Sequence, residues 1–441
     1  MIKNQNSIKI QKNKTIYIGL FFVNIFTFIS IDDALAKINL ESAIHSAREN
    51  NLEIKSEEEY YQSVKTQKKK ALTGFLPRVS ADINNGSQKN SVTGNPTING
   101  DLDRRSINVS QDLWNGGNTV FQANKADSLV KKEKSNLDHK QQEIYLKTIK
   151  SYIDILRYSK LLEIQSENAD FQEKLVEYVE KRSRAKDITK SELVKAKSDY
   201  IQAISDKITS KNNLEVSKAE FKIHTGLEYQ AVAPFEDINE DVLIRDPQNL
   251  DIDKLYALAL QNNPKIKMAN NSFQASKYNS LSAVSSLSPT VKLNFDSSDD
   301  KHSIYLNNRR QRNSAVYLNF HIPIFNSGIE YSDISIAKSL QQQEKYNFEA
   351  EKNNTYNSIF KCVSKIKNFH TMYKSSKMLE EANKTYFESI EREEKLGTKS
   401  LIDLLIAKKE FYSTKVNKIN YYYEKIYSGF ELKAEIGELI Q

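Results

Sequence analysis

The chain has 441 residues, a formal net charge of +7, 39% apolar and 27% charged residues, and only 12 glycines and 7 prolines. So little glycine and proline excludes a string of loop-rich compact domains and favours long, solvated helices. Both signs of charge are interleaved along the chain, which excludes the one-sided basic face of a nucleic-acid binder, and the single cysteine, Cys362, excludes a disulfide framework.

Residues 1–36 read as a signal peptide. Lys3, Lys9, Lys12 and Lys14 form a positive start, an apolar run follows from Ile16 to Ile31, and Ala34-Leu35-Ala36 has the small-x-small form of a cleavage site. The apolar run is shorter than the about 20 residues of a spanning helix, so cleavage before Lys37 is expected. No cysteine stands at the new N-terminus to carry a lipid. Beyond Ala36 nothing resembles a transmembrane helix, so the mature protein is expected either to be soluble outside the cytoplasm or to enter a membrane as strands.

A helical segment is expected from Leu40 to about Ala71. Then Val79, Ala81 and Ile83 alternate with Ser80, Asp82 and Asn84, the pattern of a strand with one dry face and one wet face. A polar loop is expected over 84–103, and alternation returns at Ile107 and Val109 against Asn108 and Ser110, completing a hairpin. From Asn118 to Thr225 there is neither glycine nor proline. Tyr145, Ile149, Tyr152 and Leu156 step at helical core spacing, and the polar stretch Arg184 to Glu192 is where this run is expected to reverse.

The chain then repeats itself. A linker or equatorial segment over 228–250 leads to a helical stretch from Asp251 to about Ser285, alternation through Val291, Leu293 and Phe295, a polar loop over 297–313, and alternation through Val316, Leu318, Phe320 and Ile322. Glycine and proline are absent again from Ile329 to Leu396, a length of about 100 Å as helix. Asn115 matches Asn326, Gly117 matches Gly328, Thr189 matches Ser400, Glu192 matches Asp403 and Gly226 matches Gly437, all at one offset. Residues 37–227 and 251–441 are therefore expected to be two copies of one unit. The second reversal holds Gly397, suited to a left-handed turn, whereas the first holds Lys186 and must turn without glycine. The expected fold is mainly helical, with two long helical hairpins and four strands per chain. Four strands with one apolar face need that face covered, by helices or by lipid, and each following run is too long to be local cover.

The phrases "LWNGG", "IPIFNSG" and "GTKSLIDLLIAKKEFY", with the duplicated plan, resemble the TolC family of outer membrane efflux proteins. The resemblance implies a homotrimer whose strands close a 12-stranded outer membrane β-barrel and whose helices continue as a periplasmic α-barrel. It implies an exit duct of a tripartite efflux or type I secretion system, working with a periplasmic adaptor and an inner-membrane pump of the ABC, RND or a similar class. Val79, Ile83, Val109, Val291, Phe295, Val316, Leu318 and Phe320 would face lipid. Asp82, Asn84, Asn108, Lys292, Asn294 and Asn319 would face the lumen, with Trp114 and Phe325 at the membrane edge. At the helix tips, Asp403 matches the first aspartate of the family's gate ring, but Ile406 stands where the second belongs, and Lys399 replaces an arginine. Gly397, Thr189 and Glu192 complete the gate candidates.

No Walker loop, dinucleotide glycine fingerprint or nucleophile elbow is present, and the six histidines are scattered without metal-ligand spacing. Neither an enzyme nor a cofactor or metal site is expected. The alternative reading is an extracytoplasmic coiled-coil or adhesin-type stalk, but a stalk has no reason to repeat lipid-compatible hairpins. A periplasmic adaptor would carry one helical hairpin flanked by small β domains, and this chain has two hairpins and no such domain.

Overall fold

A computed structural model describes residues 39–91, 93–227, 249–301 and 310–439. The expected signal peptide and its cleavage site, nearly all of the 228–250 linker, and His302 lie outside the described residues.

The first helical segment is two helices, α1 (Leu40–Asn50) and α2 (Leu52–Leu72), because Asn51 interrupts it in an extended conformation. Its Oδ1 accepts from the Glu53 and Ile54 amides at 2.9 and 3.3 Å, and its Nδ2 donates to the His224 carbonyl at 3.2 Å. The cap supplies acceptors for the exposed amides of α2 while tying the corner to a distant helix end. Copy two does the same. Asn263 separates α5 (Ile252–Asn262) from α6 (Pro264–Val284), and its Nδ2 reaches the Glu435 carbonyl at 2.7 Å.

The strands are β1 (Arg78–Asn90), β2 (Ile98–Asn115), β3 (Thr290–Lys301) and β4 (Gln311–His321), antiparallel in the order β1-β2-β3-β4. Here the expected 84–103 loop is corrected: β1 continues to Asn90, β2 already begins at Ile98, and Asn90 pairs with Ile98. Likewise β3 runs on to Lys301 and β4 starts at Gln311, shortening the expected 297–313 loop from both ends. In these outer parts both faces are polar, so the alternation that marks a strand vanishes although the backbone ladder continues. β2 pairs with β3, joining the two copies, while the outer edges of β1 and β4 have no strand partner among the described residues.

The long runs are α3 (Asn118–Arg184) with α4 (Lys190–Thr225), and α7 (Ile329–Lys395) with α8 (Leu401–Glu435). α3 and α7 have 67 residues each, about 100 Å as helix. Tyr145, Ile149, Tyr152 and Leu156 form the expected buried stripe. Cores are strung along the length. One joins Ile149, Tyr152 and Phe221 to Tyr423, Ile426 and Phe430, and another near the tips joins Leu175, Val179 and Ala196 to Phe387, Leu401 and Leu404. Both of these clusters draw on both copies, whereas a third, of Ala259, Ile359, Val363, Ile366, Leu432 and Ile436, lies wholly within the second. Among the described residues no helix is long and apolar enough to cross a membrane.

Candidate functional site

The strand register sorts the sheet into two faces. Val79, Val109, Phe295 and Val316 lie opposite one another in a single row across all four strands. Residues directly opposite share a face, so this row is continuous, and Val291 opposite Phe320 and Leu293 opposite Leu318 extend it. Nothing among the described residues covers it: Val79, Val316 and Phe320 are 68–69% exposed. The opposite face carries Asp82, Asn108, Asp112, Lys292 and Asn319, with Asn108 Nδ2 donating to Asp82 at 2.9 Å and Lys292 3.3 Å from Asp112. At one end the apolar face stops, because Arg105 lies opposite Asp299 and Asp299 opposite Arg312.

At the other extreme of the molecule are two tip turns of the same construction. In the second, Gly397 takes φ +76°, its amide bonds to the Glu394 carbonyl at 2.9 Å and that of Thr398 to the Glu393 carbonyl at 2.9 Å. In the first, Lys186 takes φ +62°, with amide bonds from Lys186 to Ser183 at 3.1 Å and from Asp187 to Arg182 at 3.0 Å. The same helix-ending motif therefore forms with lysine where glycine is favoured. Each returning helix then starts with a reciprocal cap. Glu192 accepts from the Thr189 amide at 2.7 Å while its own amide donates to Thr189 Oγ1 at 3.3 Å, and Asp403 and Ser400 repeat this at 3.1 and 3.2 Å.

Asp403 is thus a helix-capping carboxylate within the chain. Hydrogen bonds from Ser400, with the Lys399 charge adding less, hold its pKa below the usual carboxylate value. Lys399 itself is exposed and makes no ion pair among the described residues. Ile402, just before Asp403, and Ile406, one turn beyond it, are 46% and 49% exposed on the helix surface, where the first copy has Ser191 and Lys195. The two tips are also linked to each other. Arg182 Nη1 lies 2.7 Å from Glu394 Oε1, whose side chain is only 4% exposed.

Lys408 was not marked by the sequence reading. Its residue is 6% exposed in the tip core, and its ammonium lies 3.8 Å from the Phe171 ring, 4.2 Å from Phe387 and 4.4 Å from Tyr412. Burial pushes its pKa down to about 8. Its first-copy counterpart, Lys197, pairs with Glu180 at 2.7 Å. The available signal was a lysine at core spacing, four residues after Leu404 and four before Tyr412. The Arg182 to Glu394 link had no signal, since both residues sit in ordinary polar stretches.

A sequence model described as outer membrane efflux protein matches residues 43–222 and 255–438. Outer membrane protein TolC of Vibrio cholerae is 23% identical over 348 residues, covering 77% of this chain and 77% of that protein. Among solved structures, CusC is similar with a TM-score of 0.80 at 16% identity, over 90% of this chain and 92% of its own. The Campylobacter jejuni CmeC outer membrane channel gives 0.77 at 17% identity, over 91% and 86%. The open state of the Neisseria gonorrhoeae MtrE outer membrane channel gives 0.74 at 16% identity, over 91% and 89%.

Proposed function

The chain belongs to the outer membrane efflux protein family, and on that premise we propose that it is the exit duct of a tripartite efflux or type I secretion system, assembled as a homotrimer. The observation that carries the reading is the uncovered apolar row Val79, Val109, Phe295 and Val316 on a sheet with two free edges. Residues 37–227 and 251–441 act as two repeats of one unit after removal of 1–36. β2 joins β3 between copies inside the chain, and β4 joins β1 of the next chain by the same logic, so three chains close twelve strands and abolish the edges.

In this barrel Val109, Val291, Phe295, Val316, Leu318 and Phe320 face lipid, and Asp82, Asn108, Lys292 and Asn319 line a wet lumen. The apolar face runs from Phe320 to the charged row at Arg312, eight residues of strand or about 27 Å. With a strand tilt of about 40° that is about 20 Å of height, close to the about 25 Å apolar band of such barrels.

The helical hairpins carry the duct through the periplasm, where an adaptor links them to an ABC, RND or similar inner-membrane pump that supplies the energy. Closure sits at the tips. Three Asp403 carboxylates form one anionic ring, and three Ile406 side chains one turn on form an apolar ring that resists wetting. The Arg182 to Glu394 pair holds the two hairpins of each chain together in the closed state.

The deciding measurement is native mass together with single-channel conductance of purified mature protein in a planar bilayer. A trimer giving discrete small steps is the expected result. A soluble species without conductance would overturn the duct and favour the coiled-coil stalk.

A further inference from the structure

The strand register also fixes what lies beyond the apolar face. Two rows on that same face follow one another at its charged end: Ile83, Arg105, Asp299 and Arg312, then Asn85, Asp103 and Lys301. Arg310, two residues before Arg312, joins them through Asp299, to which its Nε donates at 2.7 Å. Four cations thus share two carboxylates. The next two rows leave this balance unchanged, because they add Asp101 and Lys89, one of each sign.

Pairing inside the patch is incomplete. Arg312 lies 3.6 Å from Asp299, Arg105 3.4 Å from Asp103 and Lys301 3.9 Å from Asp103, all longer than the about 2.7–3.2 Å of a hydrogen bond. The side chains of Arg105 and Arg312 are 57% and 68% exposed, which leaves their N–H donors open to a further acceptor. At the same height the opposite face is balanced, because Arg104 pairs with Asp300 at 2.5 Å. The other end of the apolar face, where Trp114, Val291 and Phe320 stand in register, is wholly apolar. A merely solvated strand end gives no reason for the excess charge to fall on the lipid-compatible face and at one end alone.

The helices leave the sheet from that apolar end, β2 stopping at Asn115 and α3 beginning at Asn118, so the basic patch points away from the periplasm. In the duct proposed above it meets the outer leaflet, at the level where acyl chains give way to headgroups. Guanidinium forks match phosphate oxygens in pairs. Arg105 and Arg312 stand two strand spacings apart, about 10 Å, with Asp299 between them. Resting on that reading of the sheet, we propose that Arg105 and Arg312, supported by Arg310 and Lys301, bind a diphosphorylated lipid headgroup of the outer leaflet. Its two phosphates sit on either side of Asp299, one at each exposed guanidinium, while its acyl chains lie along the apolar row.

The test is native mass spectrometry of the detergent-purified trimer titrated with bisphosphorylated lipid A, with a chelator present to remove bridging cations. Saturable retention is expected. The same lipid stripped of phosphate should bind about tenfold more weakly, as should the intact lipid to the Arg105→Gln, Arg312→Gln double variant. Arg104→Gln, at the same height on the lumen face, should leave retention unchanged. Equal retention by the double variant at unchanged trimer mass, equal retention of the stripped lipid, or displacement of the lipid by millimolar inorganic phosphate would each overturn the proposal. A conducting trimer that retains no lipid would overturn this site and leave the duct standing. Loss of retention in Arg104→Gln alone would reverse the facing of the sheet, a failure of the duct reading as well as of the site.

Discussion

Lys186 and Gly397 stand at equivalent positions of the two tip turns and share one left-handed backbone, φ +62° and +76°. For an L-residue that conformation costs about 1–2 kcal/mol, partly offset because glycine loses more freedom on folding. Lys186→Gly is therefore expected to stabilise the first tip by up to about 1 kcal/mol, and Gly397→Ala to destabilise the second by about 1 kcal/mol. Hydrogen exchange of the tip amides reads both, and slower exchange at the second tip in Gly397→Ala would contradict the account.

Asp403 has two separable jobs, charge and cap. Asparagine keeps an acceptor for Ser400 and removes the charge, whereas alanine removes both and leaves the Ser400 amide without its reciprocal acceptor. If the charge ring closes the duct, both variants raise passive conductance in planar bilayers; a rise in the alanine variant alone would assign the effect to the cap. Because the folded pKa is depressed by Ser400, the stability that ionised Asp403 adds is present above the unfolded carboxylate value and lost as pH falls through the lower folded one. Gating through this residue is thus expected to stay flat near neutral pH and to change only in acid.

If Ile406 stands at the proposed constriction, where the family resemblance implies a second anionic ring, trivalent cations should block this duct weakly. Ile406→Asp is expected to lower the half-blocking concentration at least tenfold, since a denser field binds a multivalent cation more tightly. An unchanged blocking curve would place Ile406 away from the constriction.

Phe320 tests the facing of the sheet. Phe320→Arg places a cation on the apolar face near its edge, where the cost per subunit falls below the about 2–4 kcal/mol of the bilayer midplane, and trimer yield in the membrane fraction should drop. Asn319→Arg, on the opposite face, should assemble normally and alter ion selectivity. Normal yield of the phenylalanine variant would reverse the assignment.

Lys408 makes a prediction of opposite sign to most core substitutions. Its folded pKa of about 8 lies below the usual lysine value, so folding releases a proton, and stability rises as pH climbs from about 8 towards the unfolded value. The aromatic rings around the ammonium offset part of its burial cost. Lys408→Met should stabilise the tip by about 1–3 kcal/mol at pH 7 and remove the alkaline rise in melting temperature. Loss of stability in the methionine variant would show that the ring contacts outweigh burial.

The two faces of the sheet and the buried stripe of α3 were legible in the sequence because each rests on a short-range period. Val109 and Val316 alternate with Asn108 and Tyr317, and the core stripe from Tyr145 to Leu156 repeats at helical spacing. Features that depend on distant partners were hidden. The break at Asn51 looks like any polar helix residue until His224 arrives from the other end of the hairpin. The strand extensions to Asn90 and from Ile98 lie where both faces are wet, so no alternation survives to announce them. The tip residues could be placed at turns, but the pairing of Arg182 with Glu394 crosses between copies.

Gly116 and Ser327 stand at equivalent positions and share a positive φ, +64° and +54°. Gly116 packs so tightly against the other copy that a Cβ there would collide with Ser288 and come within 2.8 Å of the Ser285 carbonyl. The serine at 327 already carries that carbon, so a joint of the same closeness cannot form on its side. In the trimer proposed above, tight joints inside each subunit would alternate with looser joints between subunits. Such a ring would be threefold and never sixfold, and an iris made this way would flex first at the boundaries between chains.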